Sequence, residues 1–384
     1  MYPNSEQAGR MKSWFGVVRF VYNQLVEEFR DVGRGGANLS QLREVVSKLK
    51  EQNKWMEEVP YDVIDTAVRD MDKARKAHFA KLKKMKEADP NARLNARFKF
   101  RSKRDHQQSF EVRARDWGRS GGAFASLFGK GVMKGAEGEL PETLEATFRV
   151  IKDRLGKFYL SLPRQVQIRD ESQGPKSEHG VVALDPGVRT FQTTYDADGL
   201  TSEWGEGDMK YLFRHCKYAD KLYSEARKHK GRKRRRRMLA WHRMLLKIKN
   251  LVGELHRKMA TWLCESYRVV LIPKFEVSRM VKRGSRKINS KTARSMCTWS
   301  HYAFRQRLLH KAELFPWVKI VECDEAYTSK TCGSCGFIHN KLGGSKTFKC
   351  PSCGYRADRD ISAARNILIR YLTRECAIEG LSFL

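Results

Sequence analysis

Cys332-Gly-Ser-Cys335 and Cys350-Pro-Ser-Cys353, followed at once by Gly354-Tyr-Arg-Ala-Asp358-Arg-Asp360, form the stretch on which the fold turns. Two Cys-x2-Cys pairs have the spacing of a tetrahedral zinc site, in which two tight turns each present a pair of thiolates. A redox pair of dithiols is the alternative. Four thiolates leave no open position, so zinc held here is structural. Asp358 and Asp360 then open a segment, Ile361 to Leu372, that reads as a helix. A zinc knuckle has no use for an acidic pair at a helix start, whereas a centre that holds divalent metal for phosphodiester hydrolysis does.

Upstream of the cysteines the text alternates short apolar strands with helices. Val181-Val-Ala-Leu184 runs into Asp185-Pro-Gly, and Phe191-Gln-Thr-Thr is read as the next strand of a hairpin. A long helical segment reaches about Tyr267, with Met244, Leu245, Ile248, Leu251, Val252, Leu255 and Met259 as its stripe. Tyr267–Ile272 is a further strand, 295–314 a helix, and Val318–Cys323 a strand that ends at Asp324-Glu325. This order predicts an α/β layered domain, 173–331 and 354–384, with the cysteine module 332–353 inserted.

Nearer the start, 5–32 reads as a helix capped by Ser5, Leu39–Lys50 as a second, and Pro60 begins a third that continues through the lysine-rich 75–95. Residues 1–95 are thus a basic helical lobe. In 96–172 the pattern becomes β-rich: Phe98-Lys-Phe100-Arg alternates aromatic and basic residues, and strand-like text occurs at 109–112, 146–151 and 157–162 around a polar loop, 118–142. Its cationic face is either a solvated strand surface or a nucleic-acid surface.

Lys+Arg exceed Asp+Glu by 76 to 44 over 384 residues, a formal net charge of +32. That excess points to a polyanion; a ribosomal-type RNA binder or an anionic membrane surface are the blander readings. Mean hydropathy is −0.62, no apolar run approaches a membrane span, and the first residues lack the order of a secretory signal. Cysteines outside the cluster are scattered, which fits a reducing compartment. The run 227–237 holds nine Lys or Arg in eleven positions. Within it Arg232, Lys233, Arg234, Arg235, Arg236 and Arg237 read as a nucleic-acid contact, a nuclear import signal, or both.

Asp185 at a strand end, Glu325 just past another and Asp360 at a helix head are the acids such a layout can gather on one edge. Three carboxylates brought close repel unless cations lie between them, and two Mg²⁺ about 4 Å apart would suit them. Taken singly, Asp185 reads equally as a turn residue, Asp360 as an N-cap and Glu325 as a surface acid.

The chain resembles the RNA-guided, transposon-associated nucleases called TnpB, and more closely their eukaryotic and giant-virus relatives, Fanzor. The resemblance is carried by Gly16-x2-Arg19-x-Val-Tyr22-Asn23, Phe98-Lys-Phe-x-Ser-Lys103, Leu184-Asp185-Pro-Gly187, Tyr327-Thr-Ser-Lys-Thr-Cys332 and Asp358-Arg-Asp360-Ile-Ser-Ala-Ala-Arg-Asn366. It implies a RuvC (ribonuclease H-like) nuclease domain with an inserted zinc ribbon, an N-terminal helical recognition lobe and a small β-barrel-like wedge module. Asp185 and Asp360 match the first and last catalytic aspartates, with Asp358 the weaker choice. Pro273 stands where TnpB carries its central glutamate, and Glu325 stands where Fanzor carries its own; Glu276 and Glu322 are the alternatives. The chain starts almost at the first helix, as a compact or shortened copy would, and Ser362 replaces a common asparagine.

The resemblance implies a guide RNA and double-stranded target DNA as partners, structural Zn²⁺ and two catalytic Mg²⁺, a monomer in complex with RNA and no membrane. It implies a nuclear location in a eukaryotic host and otherwise an intracellular one. Arg19, Lys99, Arg101, Lys103 and Arg104 are the expected backbone binders. A guided DNA-binding regulator with little cleavage, and a zinc-ribbon RNA-binding protein, are the competing functions.

Overall fold

The computed structural model describes residues 1–29, 38–91, 98–117, 135–136, 144–175, 180–324, 326–340, 342–343 and 345–379. The chain divides into two compact units, Met1–Gln165 and Val166–Leu384. Among the described residues no helix is long and apolar enough to cross a membrane.

In the first unit, helices α1 (Ser5–Glu28), α2 (Leu39–Gln52) and α3 (Tyr61–Ala88) pack with an antiparallel sheet β1-β2-β3 (Gln107–Val112, Phe148–Asp153, Phe158–Ser161). The broken three- and four-residue rhythm of α1 buries Met11, Phe15, Val18, Tyr22 and Leu25 along one side. Phe15 meets Phe110 and Phe158 of the sheet at 4.9 and 6.3 Å between ring centroids. The cap of α1 is Asn4, not Ser5: Gln7 N donates to Asn4 Oδ1 at 2.8 Å and Asn4 N to Gln7 Oε1 at 3.0 Å, a reciprocal capping box. The loop read over 118–142 lies almost wholly outside the described residues.

The second unit holds a five-stranded sheet of order β6-β5-β4-β7-β8 (Thr201–Trp204, Gln192–Asp196, Val181–Pro186, Val269–Pro273, Lys319–Cys323). β5 is antiparallel to both neighbours, while β7 and β8 run parallel to β4. This is the ribonuclease H-like topology of RuvC domains. Alternation along each strand serves two cores. Val182, Leu184, Val270 and Ile272 face helices α4 (Asp208–Arg227), α5 (Gly231–Ser266), α6 (Ser290–Trp299) and α7 (His301–Ala312). Ala183 and Leu271 face Ile367 and Leu368 of α8 (Arg359–Glu379). The helix read over 295–314 is two helices, broken where Ser300 takes φ 54°. The basic run 227–237 begins at the last residue of α4 and continues into the opening turns of α5.

Candidate metal centres and nucleic-acid surface

Each Cys-x2-Cys pair closes a knuckle: Gly336 N donates to Cys332 O and Gly354 N to Cys350 O. The knuckles bring the four Sγ atoms within 4.8 Å of one another. Cys332 lies 3.7 Å from Cys353 and Cys335 lies 3.6 Å from Cys350. A zinc–thiolate tetrahedron with bonds of about 2.3 Å has edges of about 3.8 Å, so the set fits Zn²⁺. Phe348, fully buried, and the β9–β10 hairpin (Thr347–Lys349, Arg356–Asp358) complete this module.

The hairpin delivers the chain to α8. Asp358 is its N-cap, with Oδ1 accepting from Asp360 N at 2.8 Å and Ile361 N at 3.2 Å. Capping therefore occupies Asp358 and leaves the carboxylate of Asp360, in the first turn of the same helix, for other work. Burial, then the charge of Asp358, push the Asp360 carboxyl above its ordinary range, against the pull of Arg359, Lys346 and Arg189. A carboxylate under that strain suits a cation.

Asp185 lies near the C-terminal end of β4, two residues beyond Ala183 and so on the face that α8 covers. The turn that follows is forced by Gly187, where a Cβ would stand 2.5 Å from Thr190 O. Gly187 N donates to Phe191 O at 3.2 Å, and Trp299 Nε1 donates to Val188 O at 3.0 Å. Behind the turn Phe191 is sandwiched by the imidazoles of His256 and His301, with centroids 4.9 and 5.1 Å away. Residues of this turn and Asp360 line one cavity.

The third acid is where the candidates separate. Pro273 ends β7, on the same face as Leu271 and in register with Cys323. No carboxylate arises from the position that bears one in TnpB. Glu276 is exposed and pairs with Arg279 at 2.8 Å. Glu322 pairs with Arg305 of α7 at 3.1 Å, on the sheet face away from α8. Glu325 lies outside the described residues. Arg370 of α8 holds both chain neighbours of that position, donating to Asp324 Oδ2 at 2.9 Å and Ala326 O at 2.8 Å. Among the described residues, the four cysteines are the group of three or more ligating side chains close enough to share an ion.

One acid escaped sequence reading. Asp185 pairs with Thr193, and Thr193 with Glu203 on β6, so the three share a cross-strand row. Lys346 of the cysteine module stands 3.7 Å from Glu203, Glu206 and Asp358 alike. β6 is four residues of Thr-Ser-Glu-Trp without an apolar period, and that hid Glu203.

The expected cationic residues divide. Arg101 donates to Asp70 at 2.8 Å and lies 3.9 Å over the Tyr22 ring, within a network on α3. There Asp65 meets Arg43 and Arg69, and Glu111 meets Arg69, Lys73 and Arg149. Burial alone would raise the Glu111 carboxyl; Arg149 and Lys73 overcome this and hold it below its ordinary range. Arg19 and Lys103 belong to a different set. With Lys12 they surround Lys152, whose ammonium lies 5.2 Å from the Phe15 ring. Burial and those three charges lower its pKa. Among the described residues no acid pairs with any of the four. Lys99 and Arg104 are exposed, as are Arg232–Arg237. The first turn of α5 contains no acid.

The family profile described as Cas12f1-like, TNB domain, matches residues 301–367. A helix-turn-helix domain profile matches 1–32, where the described chain holds the single helix α1. Protein A625R of Paramecium bursaria Chlorella virus 1, named for a candidate transposase, is 34% identical over 60% of this chain and 51% of its own length. TnpB-like protein L79 of Acanthamoeba polyphaga mimivirus is 31% identical over 55% of this chain and 40% of its own. The chain thus spans about half, or less, of these viral relatives. A Streptomyces pristinaespiralis protein, named for a candidate RNA-guided DNA endonuclease, is 26% identical over 99% of this chain and 90% of its own.

Proposed function

This chain is a TnpB- and Cas12f-like member of the RuvC superfamily of transposon-associated nucleases, with relatives in giant viruses, and from that premise we propose that it is an RNA-guided DNA endonuclease. The observation that carries the reading is the division of labour at the head of α8. Asp358 caps the helix, so Asp360 is held partly buried, on the cavity, without a structural task. Asp185, on the sheet face that α8 covers, is the second ligand of the proposed centre, and Glu325 the third. Mg²⁺ held there would supply an activated water and stabilise the departing 3′ oxygen of a phosphodiester. Arg189 and Lys346 stand where they offset the charge of the acids and would hold the phosphate that approaches.

Lys12, Arg19, Lys103 and Lys152 are assigned to guide RNA phosphates, with Lys99 and Arg104 as exposed additions. Arg101 is assigned to the fold instead, because Asp70 already meets its charge. Base pairing would read the target sequence, and the protein a short motif beside it. The basic run of α5 is assigned to nucleic-acid backbone and, in a cell with a nucleus, to import; a fluorescent fusion with Arg234–Arg237 changed to glutamine tests the second role.

The deciding experiment is cleavage of a duplex library, a matching target beside randomised bases, by protein co-expressed with RNA from its flanking DNA. Cuts that need Mg²⁺ and vanish in Asp185→Ala, Asp360→Ala and Glu325→Gln are expected. Guided DNA binding without cuts would replace the nuclease by a regulator. Cutting unchanged in Glu325→Gln would remove that residue from the centre.

A further inference from the structure

The cavity beside Asp360 is large, about 1180 Å³, and its chemistry is mixed. Met209 and Phe213, one turn apart on α4, and Ile288 give it apolar surface, while Lys210 and Lys291 also line it. The Phe213 ring is approached by the ammonium groups of Lys217 and Lys291, each 5.4 Å from its centroid. A centre that handled only a phosphodiester would need the cations and the carboxylate. It would have no use for the apolar surface, which water wets poorly. An aromatic ring with amines beside it suits one piece of a nucleic acid in particular, a base whose faces are bare and whose phosphate is attached. In a duplex those faces are covered by neighbouring bases and cannot reach a recess.

We propose that this cavity receives an unpaired nucleobase of the strand to be cut. The ring lies against Met209, Phe213 and Ile288, and its phosphate is directed to Lys210, Lys291 and the Asp360 edge. The assignment rests on the nuclease reading for the identity of the polyanion. It makes Phe213 a binding residue rather than part of the core.

The test is binding without cutting. Short single-stranded DNA with one 2-aminopurine, moved position by position, is titrated in Mg²⁺-free, chelator-free buffer into the full, zinc-loaded chain holding its co-expressed RNA. At one position the fluorescence should change on binding, and an abasic site there should weaken binding about tenfold, the size of a lost base–aromatic contact. Phe213→Ala should weaken the intact strand by the same factor and leave the abasic strand unchanged. Phe213→Tyr should bind the intact strand as the parent does. Lys291→Gln should weaken both strands. Equal binding of intact and abasic strands at every position overturns the proposal, as does a Phe213→Ala loss of the same size on both. If Phe213→Ala fails to fold, the intact-versus-abasic comparison on the parent chain decides alone. Base-dependent binding in a protein that cuts nothing with Mg²⁺ would keep the cavity assignment and remove the nuclease. Guided cutting with no base dependence would do the reverse.

Discussion

Asp358 and Asp360 are two residues apart and carry opposite stability signs. Asp358 satisfies amides that would otherwise be unpaired at the α8 N-terminus, so Asp358→Ala should cost about 1 kcal/mol, read as a lower thermal midpoint. Asp360 is a carboxylate whose charging is opposed by burial and by Asp358. A raised folded pKa means that its contribution is favourable below the ordinary carboxylate range and is lost as pH rises through the folded value. Asp360→Asn should therefore melt at or above the parent temperature at neutral pH while abolishing cutting; a lower midpoint would assign Asp360 to the fold. The imidazoles behind the Asp185 turn behave in the opposite sense. Burial lowers His256 from 6.5 to about 4 and His301 from 6.5 to about 3. The folded state holds both neutral, so stability is full above pH 6.5 and is lost as pH falls toward those values. For His256 the loss reaches about 3 kcal/mol. Denaturant midpoints of His256→Gln and parent should converge between neutral pH and pH 4; parallel curves would mean the ring is solvated.

At the scale of elements, α5 is the one that local physics argues against. Its N-terminus is the positive end of the helix dipole, yet Arg232–Arg237 crowd it with cations and its first turn holds no acid. Replacing Arg234–Arg237 by glutamine should raise the melting temperature of the protein alone and lower its nucleic-acid affinity. A drop in both would mean that these side chains pack rather than bind. Which elements could be read from sequence follows from how local their determinants are. β4, β7 and β8 are apolar-rich runs that end at turns or acids, β5 follows β4 across a Pro-Gly turn as Gln-Thr-Thr-Tyr, and α8 starts at an acidic pair, so their texts are self-sufficient. The cysteine spacing likewise states its own geometry. β6 is too short to show a period, and the buried stripe of α4, Leu212, Cys216, Ala219, Leu222 and Ala226, is built largely of small residues set among charges and aromatics, so Glu203 and the Met209–Phe213 surface were hidden with them. The break at Ser300 has neither glycine nor proline to announce it. Arg101 looked like an RNA contact because nothing local reveals Asp70, which lies 31 residues away and meets it only after α3 and the sheet have packed. The zinc module adds a last test of elements. Asn366 donates to Thr328 O and Thr331 O at 2.8 Å each, and Arg365 to Gly333 O at 2.8 Å, so the module is fastened along α8. Removal of zinc by a strong chelator should release amide protection at 326–358 and in the first turns of α8, while β4 and β7 stay protected. Unchanged exchange at α8 would show that the helix does not depend on the module.

For the molecule as a whole, a net charge of +32 is an energy that the fold itself leaves partly unanswered. In the first half of α3, acids and arginines neutralise one another, which fixes structure and leaves little for a partner, whereas Lys81, Lys83, Lys84 and Lys86 of its second half are exposed. Further surplus lies around Lys152 in the first unit, and at the start of α5 and along the cavity in the second. Like charges held together by a fold oppose it, and a polyanion that binds only the folded state stabilises it in proportion to its affinity. A single-stranded RNA should therefore raise the melting temperature at low salt, and the rise should fade as salt is added. Each phosphate contact contributes about 0.7 to the slope of log affinity against log salt on a single strand. Changing Lys12, Arg19, Lys103 and Lys152 together to glutamine should reduce that slope by about 2 to 3 while leaving the protein alone as stable as the parent, or more so. Arg101→Gln should do the contrary, lowering stability with the slope unchanged. If the quadruple variant keeps the parent slope, the cluster faces water rather than RNA, and the charge of this unit has no partner on that face.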